Sequence, residues 1–175
     1  EEEALEIFKD IGIQIVNYKV SFNEKQAIEY SSQIGFPLAM KVLSNQILHK
    51  TETGGVELNI KNLEELKTSF QKLSNVFQKL KIKSSDEKFL IQKMEKGIAE
   101  IILGYRVDEL VGPIVVLGSG GILSEIYNDK SIRMAPVDIT EAKKMINEVK
   151  SLITITGYRG LPEADLNLSL IHISE

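Results

Sequence analysis

Residues 63 to 80 carry the clearest periodicity in the chain. Leu63, Leu66, Phe70, Leu73, Phe77 and Leu80 recur at alternating spacings of three and four, which predicts an amphipathic helix with a single apolar stripe. The stripe covers only about two and a half heptads, too few for a coiled coil, so it reads as a helix packed on its own sheet rather than a seam for a partner. Earlier, Ala4, Leu5, Phe8 and Ile11 fall on one helical face and Gly12 ends the helix. Ile13–Val16 reads as a short strand. Asn23 is placed to cap a second helix that runs through Ala27, Ile28 and Ser31 to Gly35 and Pro37. An apolar strand, Leu38–Leu43, follows, and Val56, Leu58 and Ile60 alternate as a half-buried strand should.

The polar run Lys79–Lys88 reads as a loop between two lobes, its lysines solvated. Beyond it the pattern turns strand-rich. Phe89–Gln92, Ile98–Tyr105, Pro113–Leu117, Ile122–Tyr127 and Ile132–Ala135 are predicted strands, with turns near Asp108 and at Asn128–Asp129. Thr140 is placed to cap a last helix with Ala142, Met145, Ile146 and Val149 on one face. The order is αβαβ-β-α, then a mostly antiparallel strand group, then a helix. It predicts an α+β protein of two lobes, residues 1–88 and 89–166, rather than a doubly wound sheet.

Composition narrows the function classes. The 175 residues are 43% apolar and 26% charged, enough for a real core, and the net charge of −4 argues against a nucleic-acid footprint. Cysteine is absent, which excludes a disulfide framework and thiolate metal sites and fits a reducing cytoplasm. No apolar run approaches the roughly 20 residues that span a bilayer. The acidic start Glu1–Glu3 is the opposite of a signal peptide. The chain begins without Met, so it is expected to be part of something longer.

The candidate chemistry lies in and after the strand Leu38–Leu43. Lys41 interrupts this apolar strand, sharing a face with Ala39 and Leu43. A strand lysine either snorkels to solvent or meets an anion. The loop that follows, His49-Lys50-Thr51-Glu52-Thr53-Gly54-Gly55, favours the anion. It holds the first of the chain's two histidines. Imidazole is neutral and nucleophilic near pH 7 and can take a phosphoryl group on a ring nitrogen. Lys50 would stabilise the charge in motion. Gly54 and Gly55 would let the backbone approach an anion or turn in the left-handed region. Gln92, Lys93 and Met94 read either as an ordinary strand end or as a hinge whose backbone reads an adenine edge, with Met94 against the ring. The turn Gly118–Gly121 is neither a Walker A loop nor a dinucleotide fingerprint. Glu100, Asp108, Glu125 and Asp129 are scattered acids with no metal spacing.

Four segments carry a resemblance over nearly the whole chain: LAMKVLSNQILHKTETGGVEL, FLIQKM, GPIVVLGSGGILSEIYNDKSIRMAPVD and TGYRGLP. Together they resemble the ATP-grasp domain of ADP-forming (NDP-forming) acyl-CoA synthetases, the superfamily that includes the β subunit of succinyl-CoA synthetase. The resemblance implies two α+β lobes gripping ATP between them and the reaction acyl-CoA + ADP + phosphate ⇌ acid + CoA + ATP. It implies that Lys41 contacts ATP phosphates and that Gln92 to Met94 form the adenine hinge. It implies that His49 is a phosphorylatable histidine relaying phosphate to a CoA-binding part. It also implies that the Gly118–Gly121 turn with Glu125 faces that partner, a separate α subunit or the same chain, within an oligomer. The alternative it leaves is a synthetase-like regulatory module of a fused protein acetyltransferase.

Glu52, Thr53, Val111 and Ser119 depart mildly from the family pattern, and none removes a reacting group. The C-terminus departs more. The magnesium ligands of the family are expected in a further segment, so the fold is expected to be C-terminally truncated and inactive alone. Residues 167–175, ending Ile171-His172-Ile173-Ser174-Glu175, resemble translated sequencing-adapter read-through and are expected to be a non-native tail. His172 is discounted as a site.

Overall fold

A computed structural model describes residues 1–44, 46–47, 50–83, 86–121 and 128–174; at residues 168, 171, 172 and 174 it describes the backbone alone. The chain divides into two compact units, Glu1–Glu95 and Lys96–Glu175.

The first unit runs α1 (Glu2–Asp10), β1 (Tyr18–Ser21), α2 (Glu24–Ile34), β2 (Leu38–Val42), β3 (Val56–Ile60), α3 (Leu63–Lys79) and β4 (Phe89–Lys93). Its sheet has the order β1-β4-β2-β3, and every neighbouring pair is antiparallel. Strand β4 therefore lies between β1 and β2, which run parallel and are joined through α2, a split β-α-β arrangement. Side chains alternate across β2. Leu38, Met40 and Val42 are fully buried and meet Ala27 of α2 and Leu66, Leu73 and Phe77 of α3. Phe89 and Ile91 of β4 complete this core, the Phe89 ring lying 4.4 Å from that of Phe70 and 5.3 Å, edge-on, from that of Phe77.

Both long helices begin with the same reciprocal cap. The Asn23 side chain accepts the Gln26 N–H at 2.9 Å, and Gln26 Oε1 accepts the Phe22 N–H at 2.9 Å. At α3, Asn62 Oδ1 accepts the Glu65 N–H at 2.9 Å while Glu65 Oε2 accepts the Lys61 N–H at 2.8 Å. Each pair satisfies one amide of the first helical turn and one just before the cap.

The second unit is an antiparallel meander, β5 (Ile101–Asp108), β6 (Gly112–Ser119) and β7 (Lys130–Met134), followed by α4 (Ile139–Glu148), two short 3-10 turns and α5 (Leu166–Ser174). Its core joins Val115 and Leu117 of β6 to Ala142, Met145 and Ile146 of α4 and to Leu170 and Ile173 of α5. Arg133 of β7 pairs with Glu141 at 3.0 Å and with Glu148, tying the strand to α4.

Several expectations are corrected. Ile13–Val16 is not a strand: β4 reaches back only far enough to pair Gln92 with Tyr18, so the ladder begins there. Asp138, not Thr140, caps α4, its carboxylate accepting the Glu141 N–H at 2.8 Å. The boundary expected at 88/89 falls at 95/96, because Phe89–Lys93 is an inner strand of the first sheet and pairs on both sides. Residues 167–174, within the stretch expected to be a non-native tail, are helical as part of α5, and Leu170 and Ile173 join the second core. The predicted strand Ile122–Tyr127 lies outside the described residues.

Candidate functional site

Alternation along β2 places Lys41 on the sheet face opposite α2 and α3. The register sets it against Leu90 of β4, and sets its face-mate Ala39 against Gln92. Two of the sequence-predicted residues, Lys41 and Gln92, thus share one face.

The chain returns to Lys41 through a closed loop. Gly55 N–H donates to the Lys50 carbonyl at 2.6 Å, and the Thr53 hydroxyl donates to the same oxygen at 3.0 Å. The Gly55 carbonyl accepts the Val42 N–H at 2.9 Å, fastening the loop to the end of β2. Gly54 has a φ of 72°, the left-handed region that glycine enters without strain. Gly55 is required for a different reason: a Cβ there would lie 2.7 Å from Val42 Cγ2 and 3.1 Å from the Lys50 carbonyl oxygen. The paired glycines close the loop and thereby place Lys50.

Lys50 and Lys41 converge on one carboxylate. Lys41 Nζ donates to Glu1 Oε1 at 2.8 Å and Lys50 Nζ donates to Glu1 Oε2 at 2.6 Å. The lysine side chains are 22% and 20% exposed and the Glu1 side chain 30%, so solvent screens the triad only in part. Burial works against the Glu1 carboxylate, yet the hydrogen bonds and charges of Lys41 and Lys50 outweigh it and hold the carboxyl below its ordinary range. The arrangement is an anion-binding clamp with one oxygen for each ammonium. Sequence reasoning named both lysines but missed Glu1, which is separated by 40 residues from one and 49 from the other, leaving no spacing signal.

The other predicted residues are placed as follows. The Lys93 ammonium donates to the carbonyls of Gly35 and Phe36 at 3.1 and 2.6 Å, past the C-terminal end of α2, where a cation complements the helix dipole. The Lys93 and Met94 amides donate to the carbonyls of Asn17 and Pro37, at 2.9 and 3.0 Å. Met94 Sδ lies 2.9 Å from the Asn59 amide. The amide and side chain of Lys93 are thus engaged within the protein. His49 lies outside the described residues, as does Glu125. In the second unit, Gly120 N–H donates to the Glu100 carbonyl at 2.7 Å, and a Cβ on Gly120 would meet Glu100 Cβ at 2.8 Å. Two of the scattered acids prove to cap backbone amides, Asp108 locally and Asp129 at long range. Asp108 accepts the Leu110 amide at 3.0 Å, and Asp129 accepts the Lys150 and Ser151 amides at 3.1 and 2.7 Å. Among the described residues no three His, Cys, Asp or Glu gather where they could hold a metal ion. No helix among them is long and apolar enough to cross a membrane.

The chain combines a four-stranded antiparallel sheet with a second α+β unit, and the ATP-grasp domain family model matches residues 1–173. The chain belongs to the ATP-grasp family, within its branch of ADP-forming acyl-CoA ligases. It is 39% identical over 160 residues to the beta subunit of acetate–CoA ligase (ADP-forming) I of Pyrococcus furiosus, covering 91% of this chain and 69% of that subunit. It is 36% identical to the beta subunit of the second such ligase of the same organism, covering 95% of this chain and 70% of the subunit. Against the 4-hydroxybutyrate–CoA ligase (ADP-forming) of Nitrosopumilus maritimus it is 35% identical, covering 95% of this chain but only 24% of that one. Among solved structures, the acetyl-coenzyme A synthetase 1 of Candidatus Korarchaeum cryptofilum with coenzyme A and Ca-AMPCP superposes with a TM-score of 0.89 at 31% identity, over 99% of this chain and 76% of that one. The same enzyme with coenzyme A and Mg-AMPPCP, its phosphohistidine segment pointing towards the nucleotide site, superposes with a TM-score of 0.80 at 30% identity, over 99% of this chain and 74% of that one.

Proposed function

We propose that this chain is the nucleotide-binding and phosphoryl-relaying part of an ADP-forming acyl-CoA synthetase, catalysing acyl-CoA + ADP + phosphate ⇌ acid + CoA + ATP together with a CoA-binding part. The observation that carries the reading is the convergence of Lys41 and Lys50 on one anion. Two mostly buried ammonium groups on a shared carboxylate have the geometry and charge to hold a nucleotide phosphoryl group. In phosphoryl transfer, positioning and charge neutralisation are most of what a protein contributes. His49 precedes Lys50 directly in sequence. A phosphoryl group on its ring nitrogen would form beside a ready cation, the P–O bond to the nucleotide breaking as the N–P bond forms. Gln92, on the same sheet face as Lys41, and Met94 are the adenine-side residues. Lys93 acts instead by fixing the end of α2.

The CoA-binding part is a separate α subunit or a further stretch of the same chain. The first arrangement is that of the beta-subunit relatives, and the second is in keeping with relatives of which this chain spans 24%. Magnesium bound with the nucleotide would neutralise phosphate charge alongside Lys41 and Lys50. The relatives are ligases, which favours the enzyme over a regulatory module of a protein acetyltransferase.

Calorimetric titration of ADP into the chain, with and without Lys41→Ala, tests the reading. A charge-assisted hydrogen bond contributes about 1.5–3 kcal/mol, so the substitution should weaken ADP by at least about tenfold. Equal affinity for the two proteins, or no ADP binding by either, would overturn it.

A further inference from the structure

We propose that the Glu1 carboxylate is a displaceable internal counter-ion: it occupies the place of a phosphoryl group between Lys41 and Lys50, and nucleotide binding exchanges one anion for the other. The inference rests on the reading of this lysine pair as a phosphate site.

Three observations support it. First, the carboxylate bridges the pair in the manner of a ligand, one oxygen to each ammonium at 2.8 and 2.6 Å. Like charges brought this close repel when no anion lies between them, so the empty site is held together by the carboxylate. Second, the Glu1 side chain makes no hydrogen bond to the first-turn amides of α1. It is committed to the lysines instead. Third, none of the nine residues of α1 is buried. Ile7, Phe8 and Ile11 are 60%, 45% and 64% exposed, so the helix that carries the carboxylate can withdraw at little loss of apolar packing, giving up the Tyr18–Glu6 hydrogen bond.

The charges set the direction of exchange. One carboxylate brings −1 to a pair carrying +2, whereas a terminal phosphoryl group brings close to −2 and three acceptor oxygens. A nucleoside diphosphate displaces Glu1; a monoanion such as acetate competes poorly. The site thus discriminates by charge before any base is read.

An internal occupant lowers apparent affinity by the fraction of time it leaves the site free. With the carboxylate seated about nine-tenths of the time, the loss is on the order of tenfold. ADP is titrated calorimetrically into the unaltered chain, Glu1→Ala, Glu3→Ala and Lys41→Ala. Glu3→Ala removes the same charge from the same helical turn without touching the clamp. The expected result is about tenfold tighter binding by Glu1→Ala and no change for Glu3→Ala. Equal or weaker binding by Glu1→Ala, with Lys41→Ala still weakened, would overturn the exchange and leave the phosphate reading standing. Unchanged binding by Lys41→Ala would overturn both. The unaltered chain supplies a readout that needs no variant: the side-chain carboxyl carbon of Glu1, followed by NMR, should shift on saturation with ADP, and a fixed signal would overturn the proposal.

Discussion

Substituting alanine for Gly55 isolates the contact that sets Lys50 in place. The new Cβ would lie 2.7 Å from Val42 Cγ2 and 3.1 Å from the Lys50 carbonyl oxygen. Neither neighbour yields easily. Val42 is fully buried in the first core, and the Lys50 carbonyl is fixed by two hydrogen bonds. Overpacking of this kind costs about 1–3 kcal/mol, and with two rigid neighbours the upper half of that range is expected. Val42→Ala alone removes two methyl groups, about 1.6 kcal/mol of transfer energy before any cavity contribution. In the double variant the missing Cγ2 relieves one of the two clashes, so its destabilisation should fall short of the sum by about 1 kcal/mol or more. Because the chain has two compact units, a global melt would mix their transitions. Amide hydrogen exchange along β2 and β4 reads the first unit by itself. Stability of Gly55→Ala within about 0.5 kcal/mol of the parent, or strict additivity with Val42→Ala, would refute the steric argument.

Other outcomes follow from the same structure. Asn62→Ala should cost about 1 kcal/mol by removing the acceptor for the Glu65 amide, read by exchange at the first turn of α3. Phe89→Ala, which empties the ring cluster with Phe70 and Phe77, should cost about 3–5 kcal/mol; NMR should show first-unit signals lost before second-unit ones, and simultaneous loss would count against separate cores. The bond from the Tyr18 hydroxyl to Glu6 pushes that phenol up to about 12. Its contribution is complete below the ordinary value near 10 and is lost as pH rises through 12, so an alkaline ultraviolet titration should contain a late step absent from Tyr18→Phe. The Ser151 hydroxyl and amide hold the Asp129 carboxyl low. Its contribution is present above the ordinary value and is lost as pH falls through the depressed one, and Ser151→Ala should move the Asp129 carboxyl titration upward by NMR.

Much of the fold was written in local patterns. The three-and-four spacing from Leu63 to Phe77 gave α3, and Asn23 and Gly35 marked the ends of α2. The face shared by Ala39 and Lys41 followed from strand alternation. Three things were not legible for physical reasons. Phe89–Lys93 looks like any short apolar strand, and nothing within it says that its partners lie some 50 to 75 residues back, at Leu38–Val42 and Tyr18–Ser21. Asp138 and Thr140 are both competent caps two positions apart, and only the turn geometry chooses between them. The anion that joins Lys41 to Lys50 comes from the start of the chain, where an acidic residue carries no local sign of a partner. Lys93 illustrates a different limit: its ammonium donates to two backbone carbonyls beyond the end of α2, a tie that its place in a recognisable motif did not signal.

The inner position of β4 fixes an order of events during synthesis. Strand β1 has β4 as its sheet neighbour, and β2 meets β1 only through it. A nascent chain that has emerged as far as the end of α3 can form the β2–β3 pair and both helices, but β1 still lacks a ladder and one edge of β2 lies open. Such an edge invites pairing with another chain, and the exposure lasts until Lys93 has left the ribosome. A pause that holds residues 80–88 at the mouth of the exit tunnel should therefore favour aggregation or chaperone capture, whereas a pause once Glu95 has emerged should find the first unit already closed.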